Sequence, residues 1–475
     1  MKVSGLFFFV FLLFPFALDA KVLMPAVFSD NMVLQQQSDV AVWGRANGKT
    51  VTVTADWLPE PLSAAVENGK WKLRLPTPAA SFESHTLRIS DKNSEVLIKG
   101  ILIGEVWICS GQSNMEMTLR GFSQQPVNGA FEQVAKAACY RNKVRAVRVD
   151  RKEAEKPRES FRGQWTVPDP QSVLGISATA WYFASSLSDM LNVPVGIITT
   201  SRSSSNIEAW MPKEILAGKF SYDVEAINSD PDIRGIYKCG LLYNGMLAPV
   251  MGYTAKGFLW YQGESNRNNS GIYASLMNEM VKNWRSRWGD EKDEMPFIFT
   301  QIAHYAYDNN VDGLDVPGLV DAQTAALKMI PNSAMVATTD VGEETCIHPS
   351  GKDVIGKRAA VEACRKAYAI DVPEASGMAV EKVDFAGSKV FVTFTNASYG
   401  LLPASKAVEG FELLGTDGKV YSAHAEVVKN KPVVVLSAPG LAEPVEVRYV
   451  YKNYMKGTLM NTLGYPAYPF RFAKP

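Results

Sequence analysis

Val106–Met117 reads "VWICSGQSNMEM", and the rest of the chain can be organised around it. The apolar run Val106–Cys109 predicts a buried strand, and Ser110-Gly111-Gln112-Ser113-Asn114 predicts a tight glycine turn directly behind it. That geometry leaves the Ser113 hydroxyl at the carboxyl end of a strand, the edge on which open α/β sheets place their reactive groups. A serine there needs a base, a group that orients the base, and donors for an oxyanion.

On either side of this stretch, strands and helices alternate from about Gly100 to Ile370. Ala180, Phe183, Leu187 and Met190 mark one helical face, and Tyr273, Leu276, Met280 and Trp284 mark another, closed by Gly289. Val195–Ile198, Gly257–Tyr261, Phe297–Phe299 and Met335–Thr339 read as strands. A last helix, capped by Ser350, carries Ile355, Ala359, Ala363 and Ala367. This alternation predicts an α/β domain over 101–376 with a mostly parallel sheet covered on both faces.

Both flanks read as β structure. In 21–100, Val40, Val42, Val51, Val53, Trp71, Leu73 and Leu75 alternate, with "NGK" turn signals at Asn47 and Asn68, which predicts a small sandwich-like module. In 377–475, Val390, Val392, Phe394, Val445, Val447 and Tyr449 alternate around an Asp417-Gly418 turn, predicting a second β-rich region. Residues 1–20 combine Lys2, an apolar run broken by Pro15, and small residues ending at Ala20. A membrane span needs about 20 apolar residues, so this reads as a cleaved secretory signal and implies export to the periplasm or medium, with no membrane insertion afterwards.

Composition excludes some partners. Lys plus Arg equals Asp plus Glu, giving a formal net charge of zero, so nothing marks the chain for nucleic acid. Cys109, Cys139, Cys239, Cys346 and Cys364 show no C-x-x-C spacing, so neither a metal cage nor a disulfide framework is indicated. The four histidines offer few general bases. His85 and His424 fall in the β flanks, and His304 follows a strand. His348, in "CIHPSGK", sits in a loop at the sheet's carboxyl edge and is the expected base, since an imidazole takes and returns a proton near neutrality. Cys109 lies inside the apolar strand and Ser110 before the turn, so both rank below Ser113 as nucleophile.

Five separated segments, "GQSNM" at Gly111, "IEAWMP" at Ile207, "LYNGM" at Leu242, "WYQGESN" at Trp260 and "IHPSGK" at Ile347, together resemble the sialate O-acetylesterase family of SGNH-type serine hydrolases. "FSDNMVLQQ" at Phe28 and "NTLGYPAYPFR" at Asn461 extend the likeness over almost the whole chain. The resemblance implies a three-layer hydrolase domain that removes O-acetyl groups from sugars, with Ser113 as nucleophile, His348 as base, and no metal or cofactor. Two departures stand out. Arg202-Ser203-Ser204-Ser205-Asn206 replaces a glycine pair, so the oxyanion donor falls to the Ser204 backbone if its conformation is tolerated. Thr345 stands where an acid is common three residues before the histidine. Asp340 is then the favoured triad acid over Glu343 and Glu344, with a Ser-His dyad as the competing arrangement.

The Ser113 N–H and the Gln262 amide complete the expected oxyanion set. Gln112, Asn114, Arg202, Asn244 and Glu264 are the expected substrate contacts, Glu264 also as a buttress of the serine loop. Trp210 and Trp260 adjoin the motifs and are candidates for lining the pocket. An acetylesterase on another glycan such as xylan shares this chemistry. A catalytically dead carbohydrate-binding protein is the alternative of another class.

Overall fold

The computed structural model describes residues 21–307 and 314–475, so the leader reading of 1–20 lies outside the described residues. Its centre is a parallel sheet of β1 (Glu95–Gly111), β2 (Val144–Arg148), β3 (Val195–Ser201), β4 (Gly257–Tyr261), β5 (Phe297–Thr300) and β6 (Ser333–Val336). The spatial order is β2-β3-β1-β4-β5-β6. After β1 the chain builds β2 and β3 on one side, then crosses to build β4, β5 and β6 on the other. β1 is therefore the topological switch point, where a crevice opens beyond the strand ends.

Alternation along β1 divides the core. Trp107 and Cys109 face a cluster with Trp181, Phe183, Ile355 and Ala359, supplied by helices α1 (Ala178–Leu191) and α4 (Lys352–Ala367). Val106 and Ile108 face the opposite cluster, with Leu276, Met280, Trp284, Val316 and Leu319 from α2 (Tyr273–Trp288) and α3 (Asp315–Met329). Each large apolar side chain fully removed from water contributes roughly 1.5–3 kcal/mol, and Trp107, Trp181, Trp260 and Trp284 are all completely buried. α1 and α4 approach closely: a Cβ on Gly356 would lie 2.5 Å from that of Tyr182, so any larger residue there would drive the helices apart.

Three local expectations are amended. The last predicted strand falls at Ser333–Val336. α4 has Gly351 at its N-cap with no side-chain bond, and Ser350 instead gives its N–H and hydroxyl to Glu343, each at 2.7 Å. β2 and α3 were not foreseen. β2 holds only five residues, two of them arginines, and Pro317-Gly318 blurs the helical period at the start of α3.

The N-terminal module has the expected two layers, with Asp39–Arg45 paired to Lys70–Pro76, and Thr50–Ala55 paired to Leu62–Ala65 and Ser81–Ser90. Asn68 and Gly69 both have positive φ, as the two-residue turn closed by the Glu67–Lys70 bridge between the two layers requires. β1 belongs to both modules. Its first half pairs antiparallel with Ser81–Ser90 and its second half joins the parallel sheet. Val40, Val51 and Leu75 accordingly share one core with Val106 and Phe258.

The C-terminal region forms two four-stranded antiparallel sheets around its own core. It docks on the hydrolase domain through Tyr468 Oη to Met335 O (2.6 Å) and Arg358 Nη2 to Gly464 O (3.0 Å). All five cysteines are free thiols. Among the described residues no helix is long and apolar enough to cross a membrane.

Candidate active site

Gly111 ends β1 with φ +141°, and a Cβ there would lie 2.1 Å from the Tyr261 carbonyl oxygen of β4. Only glycine fits this turn, after which Ser113 opens a one-turn helix, Ser113–Glu116. Ser113 is thus set at the carboxyl end of the switch-point strand. Ser110 is fully buried with its hydroxyl on Thr200 O, and Cys109 is fully buried with its thiol pushed up by desolvation, so neither rivals it.

The neighbouring Asn114 is the tie that gathers the motifs. Its Nδ2 donates to Glu264 Oε1 (2.5 Å) and to the Ile347 carbonyl (3.2 Å), and its Oδ1 accepts from Lys352 Nζ (2.6 Å). One fully buried side chain therefore joins the serine turn to "QGESN" and to "IHPSGK". Asn114, expected at the substrate, is a buried brace instead, and Glu264 is its buried partner, in the manner of the buttress it was also expected to be. Burial pushes the Glu264 carboxyl up and the Lys352 ammonium down to about 7, each toward its neutral form, although their charges favour one another.

His348 is half-buried in this loop. Its Nδ1 lies 2.7 Å from Gln125 Oε1, and Phe122 packs its ring edge-on at 5.0 Å. An amide oxygen only accepts, so the proton sits on Nδ1 and Nε2 carries the lone pair; the tautomer follows from this partner. Burial first, then the Lys352 charge, lowers the imidazole to about 4.

Asp340, expected to complete a triad, is elsewhere engaged. Both of its oxygens are taken by Arg358, at 2.7 and 2.8 Å, because that guanidinium is mostly buried and needs a counter-charge. Glu343 is occupied by Ser350, and Glu344 is exposed. Gln125 holds the position sequence reasoning gave to an acid. It lies in an irregular loop, and no periodicity or motif flagged it.

The Arg202–Asn206 loop, expected to supply an oxyanion donor, keeps a backbone shape suited to glycine. Ser204 has φ +62°, and its N–H, like that of Ser113, donates to no described group. Arg202 N–H donates to Gly111 O at 3.0 Å, and Ser203 gives its N–H (2.7 Å) and its hydroxyl to Glu116 Oε2. Glu116 is buried and also takes Arg148 Nη2 (2.8 Å) and Arg151 Nε (2.5 Å). Its place three residues after Ser113, on the same helical face, was the available signal.

Several other expected contacts are structural. Gln262 is fully buried, with Nε2 on Ser205 O (3.1 Å) and Asn266 Oδ1 (2.7 Å) and Oε1 on the Tyr273 hydroxyl, so its amide is not free for an oxyanion. Gln112 Oε1 accepts from Gly263 N at 3.1 Å. Arg202 pairs with Glu153, and Asn244 Nδ2 donates to Glu155 O. Trp210 and Trp260 are core residues. His304 is buried against Lys452 O at the C-terminal seam.

A carbohydrate acetylesterase from Xanthomonas citri superposes with a TM-score of 0.84, at 27% identity, over 95% of this chain and 99% of that one. The chain has the architecture of a carboxylic ester hydrolase. A family model described as carbohydrate esterase, sialic acid-specific acetylesterase matches residues 103–364, and the chain belongs to that family. Among curated relatives, human sialate O-acetylesterase is 29% identical over 77% of this chain and 75% of its own length. The mouse enzyme is 28% identical over 78% of each.

Proposed function

We propose that the protein hydrolyses O-acetyl esters of sialic acids through an acyl-enzyme on Ser113, with His348 as base. The supporting observation is the Asn114 tie: Asn114, next to Ser113, donates to the carbonyl of Ile347, next to His348, which supports a shared site for hydroxyl and imidazole. The family and the relatives' names support the acetylated sialate as substrate.

In the first step His348 Nε2 takes the Ser113 proton and Oγ attacks the acetyl carbonyl carbon. The Ser113 and Ser204 N–H groups receive the developing oxyanion. On collapse the ester C–O bond breaks, and the sugar oxygen leaves with the proton from His348. Water then gives a proton to His348 and attacks acetyl-Ser113, and acetate departs as the Ser113 oxygen is reprotonated. The Gln125 amide keeps the imidazole in the tautomer this requires. We further propose that residues 1–20 direct export, which fits a substrate found on extracellular glycans.

The test is acetate release by the mature protein and by Ser113→Ala, on 9-O-acetylated sialic acid, acetylated xylan and an aryl acetate. Release from the sialate that disappears in the variant is expected. Release from xylan alone overturns the substrate, and activity surviving Ser113→Ala overturns the nucleophile. A wild-type protein inert on all three overturns the esterase reading.

A further inference from the structure

Two arginines reach the oxyanion loop from the carboxyl edge of the sheet and are not needed by the acyl-transfer steps. Arg148 is the last residue of β2, paired in register with Thr199 of β3, and Arg151 follows in the next loop. Each places one nitrogen on Glu116 Oε1, at 2.8 and 2.5 Å. The Glu116 side chain is only 1% exposed, whereas those of Arg148 and Arg151 are 42% and 50% exposed. Glu116 Oε2 is meanwhile taken by Ser203, the residue before Ser204.

A guanidinium has five N–H donors in a rigid fork. Here a buried carboxylate fixes one nitrogen of each fork, and the remaining nitrogens have no partner among the described residues. The two positive charges meet a single negative one, so one positive charge is left uncompensated at the carboxyl edge of the sheet. Arg202, the sequence-level candidate for an anionic contact, is neutralised by Glu153. Two oriented, partly free guanidiniums match a planar carboxylate, which accepts paired N–H bonds.

We propose that Arg148 and Arg151, anchored on Glu116, form the subsite that binds the carboxylate of an acidic sugar while its acetyl group lies at Ser113. This rests on the esterase reading above and assigns the residues that separate acidic from neutral acetylated sugars. A sialic acid and a uronic acid both carry the required group.

The experiment uses the full mature chain. Rates are compared on 9-O-acetyl-N-acetylneuraminic acid, on its neutral methyl ester and on an aryl acetate, for the wild type, Arg151→Gln, Arg151→Lys and Arg148→Gln. Charge-assisted hydrogen bonds of this kind are worth roughly tenfold or more in affinity. The wild type is therefore expected to show a KM at least about tenfold lower for the acid than for its methyl ester. Arg151→Gln and Arg148→Gln should raise KM for the acid alone, and Arg151→Lys should recover part of it. Equal KM values for acid and methyl ester on the wild type overturn the proposal. So does an equal fall on the aryl acetate in the glutamine variants, because the arginines would then act only through Glu116 on the oxyanion loop.

Calorimetry with unacetylated N-acetylneuraminic acid, its methyl ester and D-glucuronic acid reads the subsite without turnover. Binding of an acid but not of the ester supports the subsite, and the stronger of the two acids names its source. Absence of acid binding overturns the subsite even if esterase activity is intact. Failure on the aryl acetate alongside acid binding overturns the catalytic reading and leaves the subsite.

Discussion

The side-chain oxygen of Gln125 lies 2.7 Å from Nδ1 of His348. A neutral amide therefore occupies the place where many serine hydrolases put a carboxylate. It orients the ring and fixes the tautomer, but it adds no negative charge to stabilise an imidazolium. Gln125→Ala is expected to lower kcat by freeing the ring, by less than the ~10⁴-fold that loss of a charged orienting group costs, because the neutral amide adds no charge stabilisation. Gln125→Glu is expected to raise the acid limb of kcat/KM by about one to three pH units, since an adjacent carboxylate favours the charged imidazole. A pH profile identical to wild type in Gln125→Glu would refute the contact.

The pH dependence of the wild type follows from the same site. Burial and Lys352 lower His348 to about 4, so the neutral base persists well below the usual histidine range. The expected acid limb of kcat/KM lies near pH 4 to 5, and a limb near 6.5 would contradict a desolvated ring. For stability the sign is opposite to that of a salt-bridged histidine. Between about 4 and 6.5 the unfolded chain binds the proton that the folded ring refuses, so stability falls on acidification through that window. Urea titrations at pH 7 and pH 5 measure it, alongside the carboxylates' own contribution.

Lys352 should act similarly at higher pH. Its ammonium is lowered to about 7 in the folded state, so from about 7 to the usual lysine value near 10.5 the unfolded chain binds more protons. Stability from this group should rise with pH across that interval. Lys352→Met, which keeps a long chain in the same space, should flatten the slope. An unchanged slope would show that the ammonium is not desolvated.

Asp340 and Arg358 form a mostly buried bidentate pair that takes no part in the imidazole's hydrogen bonds. Removing one partner of such a pair costs roughly 3–5 kcal/mol, so Asp340→Asn should lower the unfolding midpoint substantially. Its kcat, measured below that midpoint, should stay within about threefold of wild type, with the pH profile unmoved. A thousandfold loss of kcat in folded protein would return Asp340 to the mechanism.

Ser204→Gly tests whether the backbone or the hydroxyl of the loop proposed to bind the oxyanion matters. The left-handed φ of +62° costs a non-glycine residue roughly 1 kcal/mol, so the variant should be as stable as wild type or slightly more so. Because the N–H is retained, kcat should change by less than about fivefold. A fall of 10² or more, the usual cost of a lost oxyanion donor, would assign the role to the hydroxyl.

The strand-turn-serine unit, the alternating α/β middle and the two β flanks are legible in the sequence. Each is a local signal: apolar runs of strand length, faces of helical or strand period, and a glycine where only glycine fits. The sequence also marks Ser113 and His348 as the pair to examine, because hydroxyl and imidazole chemistry at strand ends is legible from residue type and position. Tertiary structure alone decided which groups surround them. Gln125 reaches His348 across 223 residues of chain and Lys352 reaches Asn114 across 238, separations that no periodicity encodes. It also decided that Asp340 and Gln262 serve the architecture, since a buried Arg358 and a buried Ser205 carbonyl need partners and took them. Hydrogen-bond satisfaction in the interior is a property of the packed whole, and a side chain's chemistry is available to a substrate only when the fold has not already used it.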